Sequence, residues 1–346
     1  MGCGSVADFG HGPAILATPG LNLYAVYDPD FDRAVKYQKK FGATHAFIDR
    51  NLFFNCGIDA VTITAPAPVH YDLVLEASKF HLPVLCEKPI AMDDDQAEAM
   101  IIAMANANAP LGIGYCYRFS PVALKIKSLV EQNAIGKIRS LRMIYIWNLH
   151  GIYEYDAAGK PFYSPQRAER MREGGPMVDC GVHDIDLARW WLKSEIESYH
   201  GEGAWVEDYE APDHMYLHLR HEDGTLTTIE MSFTYTHTSK DPISYFSYQL
   251  IGSEGLIRYD RDIGLFEIRT REKTERLPWS HEKNFPGMYE EWERVLTTNS
   301  MGHMPTGQDG LIATKIARDA TNEVISRRPK SLGPPYDPSV SLPSSA

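Results

Sequence analysis

Three groups of residues in this sequence have the types and spacing for chemistry. Near the N-terminus, Gly2, Gly4 and Ala7 form G-x-G-x-x-A in GCGSVA, and Asp28 closes the next strand-like run. In such a loop the first glycine permits a tight turn and the second lets the backbone approach a pyrophosphate. The third small residue lets helix and strand pack closely, while the helix start at Ser5 and Val6 faces the phosphates. An acid about 20 residues farther on accepts hydrogen bonds from a ribose 2′-hydroxyl and repels a 2′-phosphate. The pattern therefore points to a dinucleotide, NAD in preference to NADP. Asp28 also has the type for the N-cap of the following helix.

The second group is Glu87-Lys88-Pro89, directly after the strand-like Pro83–Cys86. Ligands of open α/β sheets bind outside the carboxyl ends of strands, where this lysine falls; the plain alternative is a surface lysine at a turn. The third is GGPMVDCGVHDID over Gly174–Asp186, with Asp179 and His183 four residues apart. On a helix the two share a face, and a histidine beside a carboxylate serves as a general base with a fixed tautomer. The alternative is an N-cap aspartate and a satisfied buried histidine. His183, Asp184 and Asp186 lack a third histidine at ligand spacing, so no metal site is expected.

The elements that must position these residues follow from periodicity. Over the first 115 residues, strand-like runs (Asn22–Tyr27, Ala60–Thr64, Pro83–Cys86, Leu111–Tyr115) alternate with helical ones (Phe31–Phe41, Tyr71–Phe80, Asp93–Ala107). That alternation predicts βαβ units and a parallel sheet. After a helix at Ser120–Gln132 come strand-like runs Ser140–Asn148, His214–His221, Leu226–Tyr235, Tyr245–Ile251, Leu256–Tyr259 and Leu265–Arg269. The turn EDG between His221 and Leu226 predicts a hairpin, and the set predicts an antiparallel sheet. Helices are expected at Asp184–Leu192, Gly287–Thr297 and Asp309–Ser326. The expected division is a dinucleotide-binding domain over 1–119, a substrate and oligomerisation domain over 120–329, and a disordered tail over 330–346. A dinucleotide fold also needs a strand ahead of its glycine loop, and here only Met1 precedes Gly2. Either the start is assigned too late, which is the favoured reason, or another segment fills the gap.

Bulk properties narrow the function. A net charge of −12 disfavours nucleic acid and anionic membrane surfaces. Five scattered cysteines form neither a disulfide framework nor a zinc cluster and fit a reducing compartment. With no signal-like segment and no apolar run near the ~20 residues of a membrane helix, a cytoplasmic location is expected. Trp147, His150, Tyr153, Tyr155, Phe162 and Tyr163 crowd one stretch, either to stack on sugar rings or to anchor a loop or subunit contact.

The order of motifs resembles the Gfo/Idh/MocA oxidoreductases, relatives of glucose–fructose oxidoreductase and inositol dehydrogenase. It runs GCGSVADFGHGPAI, AVYDPD, IDAVTITAPAPVH, CEKPIA, GYCYRFSP, IGKI and GGPMVDCGVHDIDLARWW, and spans roughly residues 2–330. The resemblance implies an N-terminal Rossmann domain and a C-terminal α/β domain with a large, mostly antiparallel open sheet that forms dimer or tetramer contacts. It implies that Lys88, Asp179 and His183 are catalytic. Glu87, His70 and the Ala65-Pro66 turn match cofactor-side positions, and Arg118 matches an arginine that shapes the cleft. The implied reaction is hydride exchange between NAD and a secondary alcohol or ketone of a sugar, cyclitol or polyol. Relatives that use NAD for redox-neutral glycoside cleavage, or a dinucleotide-binding sensor, remain open alternatives. The sequence departs from the family at Ala65-Pro66-Ala67 where Thr-Pro-Asn is common, at Pro176 in place of a third glycine, and at the missing first strand.

Overall fold

The computed structural model describes residues 1–147, 153–155, 161–234, 240–241 and 243–332. The chain divides into two compact units, Met1–Lys125 with Ser280–Lys315, and Ile126–Trp279 with the chain from Ile316 onward. The first break falls between Lys125 and Ile126. The segment 280–315, expected in the second domain, instead packs with the first unit. Phe285 packs edge-on against Phe9 and His11, Asn284 Nδ2 donates to Phe119 O (2.8 Å), and Ile113 N–H donates to Pro305 O (2.9 Å).

In the first unit β1 (Ala25–Tyr27) pairs in parallel with β2 (His45–Phe47), and β3 (Val61–Ile63), β4 (Val84–Cys86) and β5 (Leu111–Ile113) form a second parallel sheet. The strands of this second sheet are short and largely buried, as parallel strands covered on both faces must be. The helix Phe31–Phe41 starts at Asp30, whose side chain accepts from Arg33 N–H, and stops at Gly42 in the left-handed region (φ 74°). Asp93 caps the helix Asp94–Asn106 in the same way through Gln96 N–H. Among the described residues, Met1 and Gly2 lie between β1 and β3. Gly2 N–H donates to Tyr27 O and Thr64 N–H donates to Met1 O, both at 2.8 Å.

The second unit is built on an eight-stranded sheet. Its strands are β6 (Ile138–Ile146), β9 (Ile196–Ala204), β10 (His214–His221), β11 (Leu226–Ser232), β12 (Tyr245–Gly252), β13 (Gly255–Asp260), β14 (Leu265–Thr270) and β15 (Thr274–Arg276). A separate small hairpin pairs β7 (Tyr153–Tyr155) with β8 (Pro161–Tyr163). The spatial order is β15-β14-β13-β12-β6-β11-β10-β9, antiparallel throughout except for β11 against β6. The predicted hairpin forms, with Met215 opposite Met231 and Leu217 opposite Ile229. Alternation along β10 buries Met215, Leu217 and Leu219 on one face and exposes Tyr216, His218 and Arg220 on the other. The buried face meets the C-terminal helix Gly307–Ser326 so closely that a Cβ at Gly201 would come within 2.8 Å of Ala320 O.

Candidate cofactor and catalytic site

The glycine loop is built as a cradle. Gly2 has φ +90°, and a Cβ there would lie 2.6 Å from the Ala65 backbone nitrogen, so only glycine fits. At Gly4 the opposite holds: a Cβ would meet nothing within 4 Å. Packing therefore does not require that glycine, whereas a pyrophosphate brought against the backbone would. The helical run opening at Ser5 passes through a π turn at Ala7–His11 into the helix Gly12–Ala17. π turns are frequent at functional sites. Ser5, Val6 and Ala7 thus sit at a helix start, where amide groups and the helix dipole attract anions.

Asp28 is buried, and its Oδ2 accepts Cys3 N–H at 2.8 Å while Oδ1 accepts Asp30 N–H at 2.9 Å. It is not the cap of the next helix; Asp30 is. Its carboxylate ties the end of β1 to the glycine loop. Arg33, half-exposed, stands 3.5 Å from Oδ1. The loop residues fit a dinucleotide: an open glycine, a helix start, and an acid at the end of the second strand position.

The Lys88 loop is held from two sides. His70 is fully buried, with Nε2 2.8 Å from Ala65 O and Nδ1 3.0 Å from Pro89 O. Burial lowers the imidazole pKa, against the pull of the two carbonyls. The ring therefore joins the loop after β3 to the loop after β4. His70, matched by resemblance to a cofactor-side position, thus sits buried between the two loops. Ala65 and Pro66 keep their expected place at the carboxyl end of β3, with Ala65 backbone packed against Gly2.

Glu87 is also buried. Its Oε1 meets His11 Nε2 at 2.9 Å, and its Oε2 accepts Lys88 N–H at 3.2 Å. Burial alone would raise the Glu87 pKa. The His11 hydrogen bond and the charges of His11 and Lys88 outweigh it and hold the carboxyl below its usual range. His11 Nδ1 lies 2.7 Å from the Tyr289 hydroxyl, which lies 3.3 Å from Thr62 Oγ1. Burial keeps that phenol protonated, well above its ordinary pKa. This relay behind Glu87 was not foreseen. His11 stands four residues past Ala7 in the quoted motif, but nothing in sequence links Tyr289 to it across 278 positions. Lys88 itself is half-buried at the carboxyl end of β4. Arg118, expected to shape the cleft, is buried and pairs with Asp309 (3.6 Å) and His303 O (3.4 Å), which fastens the 303–309 segment to the first unit.

In the second unit Asp179 and His183 lie where a π turn (Met177–Gly181) passes into the helix Val182–Leu192. Both are buried, and Arg170 Nη1 donates to Asp179 Oδ2 at 3.4 Å. Asp179 sits inside the turn and does not cap a helix. Pro176 occupies the N-cap of that turn with φ −61°, the value its ring imposes, so this departure from glycine costs nothing there. Gly174 and Gly175 supply the positive φ values ahead of it. Among the described residues no cluster of His, Cys, Asp or Glu could hold a metal. No described helix is long and apolar enough to cross a membrane.

Of the aromatic stretch, Trp147 is engaged by protein. The buried Arg167 guanidinium lies 4.9 Å from its ring centre and 4.5 Å from that of Phe233, and Tyr145 stacks on it at 5.8 Å. Trp147 thus anchors the end of β6. Phe162 is exposed. His150 lies outside the described residues, as does most of the 330–346 tail.

Comparison with known proteins agrees with this geometry. The family described as "Oxidoreductase family, NAD-binding Rossmann fold" matches residues 1–115, and "GFO/IDH/MocA C-terminal domain" matches residues 123–258. The chain is 27% identical over 323 residues to a myo-inositol 2-dehydrogenase of Thermotoga maritima, covering 90% of this chain and 91% of that one. It is 25% identical over 265 residues to a scyllo-inositol 2-dehydrogenase (NAD(+)) of Bacillus subtilis, covering 74% and 71%. Its fold matches the crystal structure of a probable dehydrogenase from Thermotoga maritima with a TM-score of 0.75 at 24% identity, covering 94% and 96%. With both halves matched in order, this chain belongs to the Gfo/Idh/MocA family of oxidoreductases, whose Rossmann domain binds NAD.

Proposed function

We propose that the chain exchanges a hydride between NAD and a secondary alcohol or ketone of a sugar, cyclitol or related polyol. The observation that carries this reading is the open space at Gly4, taken together with a half-buried lysine at the carboxyl end of β4 in a loop that His70 contacts. Bound NAD supplies the two-electron acceptor. Lys88 hydrogen-bonds the substrate hydroxyl and tunes its proton transfer. His183 takes the hydroxyl proton, and Asp179, in its buried π turn, fixes the imidazole or orients the pocket. Inositol dehydrogenases among the relatives support a cyclitol as the first substrate to try. The exposed face of the large sheet suits assembly into a dimer or tetramer, which light scattering reads directly.

The test is a sugar and polyol panel with NAD and with NADP, followed at 340 nm. NADH accumulates with the right substrate; release of free sugar without net NADH would show glycoside cleavage instead. Lys88→Ala is expected to keep measurable NAD binding and to lose on the order of 10²–10⁴ in turnover. Near-normal turnover in that variant removes Lys88 from the reaction.

A further inference from the structure

The π turn at Ala7–His11 carries a side chain whose partner stands directly before Lys88. Gly12 N–H donates to Ala7 O, five residues back, so the turn holds one residue more than an α-helical turn. Two glycines let the backbone of this run pack closely on both sides. A Cβ at Gly10 would lie 2.7 Å from the Phe285 ring, and one at Gly12 would lie 2.7 Å from the Tyr37 hydroxyl and 2.8 Å from the Phe41 ring. The Tyr37 hydroxyl also donates to Ala7 O at 2.9 Å. The turn is thus clamped between the helices Phe31–Phe41 and Phe285–Thr298. The buried His11 ring meets Phe285 edge-on, with 5.0 Å between ring centres, and its Nδ1 lies 2.7 Å from the Tyr289 hydroxyl.

Glu87 is pinned from the other side. Its N–H donates to Ile63 O at 2.9 Å, which carries the pairing of β3 and β4 one residue past Cys86. A Cβ at Gly114 would lie 2.7 Å from Glu87 Oε1, so the carboxylate lies against the chain that follows β5. An ionised carboxylate only accepts hydrogen bonds. The proton it shares with His11 therefore rides on Nε2, 2.9 Å from Oε1. The other oxygen accepts Lys88 N–H at 3.2 Å. One carboxylate so joins an imidazole from the glycine-loop helix to the peptide group that opens Lys88. Charge-assisted bonds of this kind are about twice as strong as neutral ones.

We infer that His11 is a positioning residue for Lys88: acting through the Glu87 carboxylate, it fixes the Lys88 backbone relative to the helix that opens at the glycine loop. Lysine and dinucleotide then share one frame, because Ala7 belongs to the glycine loop and His11 closes the turn that Ala7 begins. The Nε2 side of the ring does the positioning, and the Nδ1 side, on Tyr289, holds the ring in place. The effect on turnover rests on the reading of Lys88 proposed above; the effect on the Lys88 backbone does not.

The test isolates the Nε2 donor. His11→Gln places an amide N–H near Nε2, whereas His11→Met has the same reach and no donor. Three quantities are read on the chain with NAD: hydrogen exchange at the Lys88 amide, the Kd for NAD by calorimetry, and kcat and KM with myo-inositol. His11→Met is expected to speed exchange at Lys88 by about 10-fold or more. It should lower kcat by about 10- to 100-fold, the scale of a small misplacement of a reacting group, while KM and the Kd for NAD move less than about 3-fold. His11→Gln should recover most of both losses. Where the methionine chain does not fold, His11→Asn, which keeps a polar group for Tyr289 and none for Glu87, takes its place with the same expectation. Equal losses with and without the donor overturn the inference. So do parent-like exchange in His11→Met, a loss of NAD affinity as large as the loss of kcat, and a failure of all three variants to fold. Exchange is read without substrate, so near-normal turnover in Lys88→Ala defeats the proposed reaction and leaves the exchange result to decide the positioning.

Discussion

The two glycines of the dinucleotide loop make a sharp test, because the structure assigns their requirement to different causes. A Cβ at Gly2 would sit 2.6 Å from Ala65 N and 2.8 Å from its Cα, both backbone atoms that cannot step aside. The residue also holds φ +90°, and left-handed backbone costs an L-residue roughly 1–2 kcal/mol before any clash. Gly2→Ala should therefore destabilise the chain by more than about 2 kcal/mol. At Gly4 no protein atom lies within 4 Å of the Cβ position. Gly4→Ala should leave stability within about 0.5 kcal/mol of the parent chain. Its cost falls on the cofactor: the methyl group holds a phosphate off the backbone and forfeits about one charge-assisted hydrogen bond, ~1.5–3 kcal/mol. At 1.4 kcal/mol per decade that is roughly a 10- to 100-fold rise in Kd. Urea unfolding reads the first quantity, and NAD titration by calorimetry reads the second. A folded Gly4→Ala chain that binds NAD as tightly as the parent would refute the assignment of that open space to the cofactor.

His70→Phe removes the imidazole seated between the Ala65 and Pro89 carbonyls, and with it the hydrogen bond its N–H makes to one of them, so urea unfolding at neutral pH should show a loss of about 1–3 kcal/mol. Turnover should fall more than NAD affinity, because the ring holds the Lys88 loop; unchanged stability speaks against that hold. Asp213, buried with its oxygens accepting Val206 and Glu207 N–H at 2.8 and 2.9 Å, has its pKa pushed up to about 6, chiefly by burial. Its folded pKa is above its unfolded one, so the folded state holds the proton more tightly. The resulting stability is complete below about pH 4 and is lost as pH rises through about 6. Urea midpoints of the parent chain, measured against Asp213→Asn at each pH, should therefore fall between pH 5 and pH 7 by on the order of 1–3 kcal/mol. A flat difference denies the shift.

Much of the architecture was legible from periodicity. The helix Phe31–Phe41 and the strand His214–His221 run between the residues expected of them, because each carries its own pattern and its own stop signals. The weak elements escaped. β2 has three half-buried residues, and β9 alternates too little, with one buried position, Gly201, where its backbone meets a helix. The helices Gly287–Thr297 and Asp309–Ser326 were found within two residues of their ends, yet the first of them was placed in the wrong unit. Periodicity says which face of a helix is apolar but not which core receives it.

The candidate residues divide in the same way. Residue type and spacing singled out Gly2, Gly4, Asp28, Lys88, Asp179 and His183 as candidates, and only the family resemblance implied a catalytic role for the last three. Only the tertiary structure decided how they are held. It made Asp30 the helix cap in place of Asp28, seated His70 between the Ala65 and Pro89 carbonyls, and set His11 and Tyr289 behind Glu87. It also showed that Pro176 sits where proline is at ease, and that Met1 bonds the backbone of Thr62 and Thr64. Local chemistry is written in neighbouring residues, whereas these contacts join positions tens to hundreds of residues apart, and chain folding alone brings them within a hydrogen bond.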